Sequence, residues 1–164
     1  MTERNHWVGL RSRLMPYGTV VRVENPAYNG TPDVCYCLLG VTGWLELKHI
    51  DAWPARASTP VLVASLTLDQ VNWAKMWERA GGKAGMLLSV GTYEFLLDPH
   101  QIGWLFERKM TQKDLAACYH PRSTGELVKW LTTTPKTSPD LLRRSALGSS
   151  VNRSGKPIPP SNSA

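Results

Sequence analysis

The chain predicts an α/β fold, a mixed central sheet flanked by helices, with its core elements in the order α-β-β-β-α-β. Three observations carry that expectation. An apolar row of helical period opens the chain, three β-rich stretches follow it, and a capped helix separates them from a further pair of strands.

Residues 2–15 predict a helix because Trp7, Leu10 and Leu14 recur at spacings of three and four, with Thr2 as N-cap and Pro16 as the stop. TVVRVEN, from Thr19, is β-branched and strand-like; NPAYNGTP, from Asn25, is a loop by its Asn, Gly and Pro content. DVCYCLL and GWLELKHI predict a hairpin that turns around Gly40 to Gly43. STPVLVASLT is a connector. A second helix is expected from Leu68 to Ala80, with Thr67 and Gln70 as a capping box and Gly81-Gly82 at its end. GMLLSV and YEFLLD, divided by Gly91-Thr92, predict another pair of strands. Shorter helices are expected from Thr111 and from Ser123, the latter carrying Leu127, Trp130 and Leu131.

Composition narrows the class. Hydrophobic residues make up 42% of the 164, and seven are Trp, which argues for a folded chain with a sizeable core. The formal net charge of +6 suits a polyanionic partner, nucleic acid before membrane. No apolar run reaches the length of a membrane span. Three cysteines, an odd number, argue against a disulfide framework and make a reducing cytoplasm the expected setting.

The character changes near Thr132. Residues 1–131 are expected to form one domain. Residues 132–164 are rich in Ser, Thr, Pro and Gly and are expected to be mostly disordered. This tail holds Lys136, Arg143, Arg144, Arg153 and Lys156 against Asp140 alone, and should contact DNA as a loose polycation. Each phosphate it neutralises adds close to one unit to the salt slope of binding. Deleting the tail is therefore expected to flatten that slope by roughly two to four units. An unchanged slope would reduce the tail to a solubilising extension.

The chemistry-bearing stretch is NGTPDVCYCLLGVTGWLELKH, from Asn29 to His49. Side chains two apart on a strand share a face, so Glu46 and Lys48 point one way and Leu47 points into the core. The hairpin brings that strand beside the one beginning at Asp33. Two carboxylates and an ammonium can then converge, a grouping that suits phosphodiester hydrolysis with a hard divalent cation. Gly30 and Pro32 would shape a turn that lets a backbone phosphate approach Asp33. On pattern alone, an exposed strand with a Glu/Lys pair and an Asp in a turn accounts for these residues equally well. Gln70 divides in the same way between a polar site residue and a simple capping partner of Thr67. Cys35, Cys37, Cys118 and His120 could make a zinc set, but small apolar cysteines in strands fit the spacing better. Arg22, Tyr28 and Asn29 flank Asp33 and could touch phosphate. Trp53, Trp104 and Trp130 are read as packing residues ahead of base-stacking ones.

The pattern PD…ELK, in a helix–strand–strand–strand–helix order, resembles the PD-(D/E)XK nuclease superfamily. The longer run E..HW..LR..L…VVRVENPAYNGTPDV…GWLELK…LTLDQVNWA…GG…LLSVG is similar to the small phage nucleases of the VRR-NUC and Holliday-junction-resolvase branches, over about residues 3 to 97. The resemblance implies a restriction-endonuclease-like core and a Mg²⁺-dependent DNA endonuclease, with Mn²⁺ as a substitute ion. Asp33 and Glu46 match the metal-binding acids, Lys48 the catalytic lysine, and the backbone carbonyl of Leu47 a further metal ligand. Glu3 matches a helix-borne glutamate, although it lies farther from the first strand than in the archaeal resolvases. Gln70 matches a polar residue facing the site. The implied substrate is branched DNA and the implied assembly a homodimer, since resolving a junction takes two incisions related by near two-fold symmetry. The apolar stretch from Phe95 to Phe106 is the candidate interface. Two readings compete: a non-catalytic DNA-binding or virion-associated protein that keeps the fold, and a repair or restriction nuclease acting on single strands, flaps or ends.

Overall fold

The computed structural model describes residues 3–133, with side chains from His6 onward. Helix α1 (Glu3–Leu14) runs into a single 3₁₀ turn, Met15–Tyr17, which contains Pro16. Leu10 and Leu14 are fully buried and Trp7 packs beside them, so the spacing of three and four marks the face that meets the sheet.

Strands β1 (Gly18–Arg22), β2 (Val34–Leu38) and β3 (Val41–Ile50) form an antiparallel meander. The β2–β3 turn is only two residues long, Leu39 at φ 49° and Gly40 at φ 84°. Two successive left-handed residues are what a tight hairpin of the I′ type requires. The turn is therefore earlier and shorter than the expected span of Gly40 to Gly43. Gly43 lies within β3 instead, because a Cβ there would strike the ring of Tyr36 on the paired strand.

Helix α2 (Leu68–Arg79) then crosses over and returns the chain as β4 (Lys83–Val90), parallel to β3. Its capping box forms as expected: Thr67 Oγ1 accepts from the Gln70 backbone N–H, and Gln70 Oε1 accepts from the Thr67 N–H at 3.0 Å. Strand β5 (Tyr93–Leu97) pairs antiparallel with β4 across Gly91-Thr92. The sheet order is β1-β2-β3-β4-β5, with one parallel pair.

A helix unforeseen in the sequence follows, α3 (Pro99–Phe106). Its signal was present: Asp98 accepts from the backbone of His100 and Gln101, Gln101 reaches back to the Asp98 N–H, and Pro99 sits where its missing N–H costs nothing. Helices α4 (Gln112–Ala116) and α5 (Thr124–Thr132) start at Thr111 and Ser123 as predicted. No helix among the described residues is long and apolar enough to cross a membrane.

Two apolar clusters sandwich the sheet. One joins α2, α3 and α4 to β4 and β5 through Val71, Ala74, Met86, Leu88, Phe95, Leu97, Ile102 and Leu105. The other joins α1 and α5 to all five strands through Leu10, Leu14, Val20, Tyr36, Leu47, Leu87, Leu96 and Leu131. Phe95 to Phe106, the candidate dimer interface, gives most of its apolar side chains to this interior; Trp104 and Phe106 remain exposed. The α2-side cluster contains no residue of β1 or β2. Among the described residues, helices thus cover one face of the sheet along its length and the other face only in part.

Candidate active site

Leu45 and Leu47 are buried on the α1 side, so the alternating residues Trp44, Glu46 and Lys48 face α2. Asp33 immediately precedes β2, and its Oδ2 accepts the backbone N–H of Leu47 at 2.9 Å. Beyond Leu45, β3 no longer pairs with β2, and this carboxylate takes over the place of the missing strand partner. A residue's N–H and C=O leave an extended strand on the same side, so the Leu47 carbonyl faces that gap too.

The acid at the centre is Glu46, which is 4% exposed. Its Oε1 accepts from Lys48 Nζ at 2.8 Å and from Gln70 Nε2 at 2.6 Å. Its Oε2 is buried and meets no donor among the described residues, while the Asp33 carboxyl lies within side-chain hydrogen-bonding reach of Glu46. Burial pushes the Glu46 carboxyl up to about 8, the charge of Asp33 adds to the rise, and Lys48 opposes it. Near neutral pH and without a cation, the carboxyl thus keeps its proton even though an ammonium lies beside it.

Gln70 makes two contacts at once. Its carbonyl end completes the helix cap while its amide end reaches Glu46, so capping does not keep the side chain from the carboxylate. The preceding loop places this helix start. Gly30 sits at φ 83°, and a Cβ there would come within 2.9 Å of the Gln70 nitrogen and closer still to the Asp69 carbonyl. The glycine thus admits the backbone of α2, where the sequence suggests an approaching phosphate. Asn25, which sequence reasoning passed over, organises the loop by accepting from the N–H groups of Ala27 and Tyr28 at 3.1 and 3.3 Å. We expect Gly30→Ala to lower stability by on the order of 1–3 kcal/mol and to slow any reaction that depends on Gln70. A melting curve identical to wild type would count against this account.

Other candidates fall elsewhere. Arg22 ends β1 on the strand face of Val20, opposite Glu46, and is exposed, as are Tyr28 and Asn29 on the loop. The Glu3 side chain, Arg143 and Arg144 lie outside the described residues. Cys35, Cys37 and Cys118 are free. Among the described residues no three His, Cys, Asp or Glu side chains converge as metal ligands, so Cys35, Cys37, Cys118 and His120 do not form the zinc set. Trp53 packs edge-on against Phe95, and Trp130 lies under Lys83 Nζ at 3.8 Å. The tryptophans on the elements that carry Glu46 and Gln70 are instead Trp44 on β3 and Trp73 and Trp77 on α2. The sequence signal for two of them was their spacing of three and seven from Gln70 along one helix face. No model of a known protein family matches the chain, and no curated protein matches it.

Proposed function

We infer that this cluster is the active centre of a metal-dependent DNA endonuclease of the PD-(D/E)XK kind. The observation that carries the reading is the buried Glu46 beside Asp33, raised in pKa by burial and by that acid, with one oxygen held by Lys48 and Gln70 and the other meeting no donor among the described residues. A buried acid that meets no donor on one oxygen and stands beside a second acid can exchange its proton for a cation. A divalent cation fits, because it replaces the proton the carboxyl otherwise keeps and suits hard oxygen donors.

Asp33 and Glu46 would hold Mg²⁺, or Mn²⁺ in its place, with the Leu47 carbonyl on the same edge. When bound, the ion supplies Lewis acidity toward a phosphate oxygen and the attacking water. The chain's own residues do the rest. Leu47 fixes Asp33 through its N–H, and Gln70 fixes the rotation of Glu46 so that Oε2 remains available. Lys48, held by Glu46, would stand beside the reacting phosphate, where a preorganised donor stabilises developing negative charge. The element order α1-β1-β2-β3-α2-β4 agrees with the order the resemblance implies. The net charge of +6 favours a polyanionic substrate.

The test is incubation of the full chain with a labelled four-way junction, a linear duplex and a flap, in Mg²⁺ and in EDTA. Ion-dependent cleavage of at least one substrate is expected. Tight DNA binding with no cleavage of any of them, in Mg²⁺ or Mn²⁺, would replace this reading with that of a non-catalytic DNA-binding protein.

A further inference from the structure

Two rows of side chains meet along the seam between β3 and α2. On the strand, Trp44, Glu46 and Lys48 share a face; on the helix, Gln70, Trp73 and Trp77 share a face at spacings of three and four. The rows match end for end. Gln70 meets Glu46 at 2.6 Å, and Trp44 meets Trp73 and Trp77 edge-on, with ring centroids 5.4 and 6.0 Å apart. Trp73 and Trp77 stack at 5.0 Å with their planes 9° apart. The seam therefore begins as a carboxylate–lysine cluster and becomes a cluster of three indoles about 7 Å farther along the strand.

The indoles border open surface. Among the described residues no helix core covers this face of β1 and β2. Val21 is 50% exposed there, Thr19, Cys37 and Thr42 are exposed, and Trp77 is 36% exposed at the edge. Beyond Asp33 at its head, that floor presents small neutral side chains and no acid to repel a phosphate backbone.

We propose that the Trp44–Trp73–Trp77 cluster is a stacking subsite for an unpaired nucleotide, so that the site acts on DNA with single-stranded character next to the cleaved phosphate. The proposal rests on the nuclease reading and narrows it. Bases in a continuous duplex are stacked on one another and offer an indole no free face, whereas an unpaired base does. The distance from Glu46 to Trp44 is one that a single unstacked nucleotide can bridge. Net positive charge holds the backbone without regard to sequence, and the indoles select for exposed bases.

The experiment compares the wild-type chain with Trp77→Ala and Trp77→Phe in EDTA, where no cleavage intervenes. Binding is read by anisotropy on a fluorescein-labelled duplex with a thymidine tail and on the same duplex with blunt ends. Trp77→Ala should weaken tailed DNA by about 5- to 100-fold, leave blunt DNA unchanged, and lose part of the intrinsic fluorescence quenching that tailed DNA causes. Trp77→Phe, which keeps an aromatic face and fills most of the space, should recover most of the affinity. Equal losses on both DNAs, equal binding by all three proteins, or wild-type fluorescence unmoved by saturating tailed DNA would overturn the proposal. The nuclease reading fails separately: selective, Trp77-dependent binding by a wild-type chain that cuts nothing in Mg²⁺ keeps the subsite and removes the enzyme.

Discussion

Glu46→Gln is expected to abolish cleavage while leaving DNA affinity at or slightly above the wild-type value. The amide keeps the shape of the carboxyl and an oxygen that can still accept from Gln70 and Lys48, so the surroundings have no reason to move. What it loses is the capacity to become an anion, and with it the hold on a divalent cation. Asp33→Asn should behave alike, since its amide oxygen can still accept the Leu47 N–H. Lys48→Met tests a different contribution. Removing one preorganised contact to the transition state typically costs 10²–10³-fold, or about 3–4 kcal/mol, so residual slow cleavage is expected from it. Single-turnover rates at saturating protein separate these effects from binding. Wild-type rates in Glu46→Gln would sink the assignment of the site.

The same substitution should make the metal-free protein more stable at neutral and higher pH. The folded Glu46 carboxyl titrates near 8 against an ordinary 4.5, so the folded state holds a proton that the unfolded state has released between those values. Stability then falls as pH rises through that window, because the folded state binds more protons there. The amide of the variant has no such proton to hold. The advantage of Glu46→Gln should be near zero at pH 4, grow through pH 5–7, and level off above about 8 at on the order of 5 kcal/mol. Melting curves in EDTA across that range are the measurement. A variant less stable than wild type at every pH would mean that the pairing with Lys48 outweighs the cost of burial.

Much of this architecture was legible because local rules and tertiary packing agree. Thr67 and Gln70 announce α2, Gly91 announces the β4–β5 hairpin, and Trp7, Leu10 and Leu14 announce the buried face of α1. The misreadings have physical causes. Gly43 looks like a turn residue but is a glycine because the Tyr36 ring needs its space, a long-range reason that no local pattern contains. Helix α3 is masked in the sequence because the apolar run of β5 leads straight into it, although the Asp98–Pro99–Gln101 cap is readable. Asp33, Glu46 and Lys48 could be paired from the hairpin and strand alternation alone. The contact of Gln70 with Glu46 and the indole cluster could not, since both depend on where α2 lands after its crossover.

That crossover has a consequence for the order in which the molecule comes into being. The hairpin carrying Asp33, Glu46 and Lys48 is local, whereas Gln70 follows Glu46 by 24 residues and the parallel neighbour β4 comes later still. Local pairings form in microseconds, and pairings across long loops form more slowly. On a ribosome, where the N-terminal part emerges first, the two acids exist for a time as ordinary wet carboxylates on a bare hairpin. Only when α2 docks is Glu46 taken out of water and given its second donor. A nascent chain therefore carries the residues of the site before it carries the environment that gives them their chemistry.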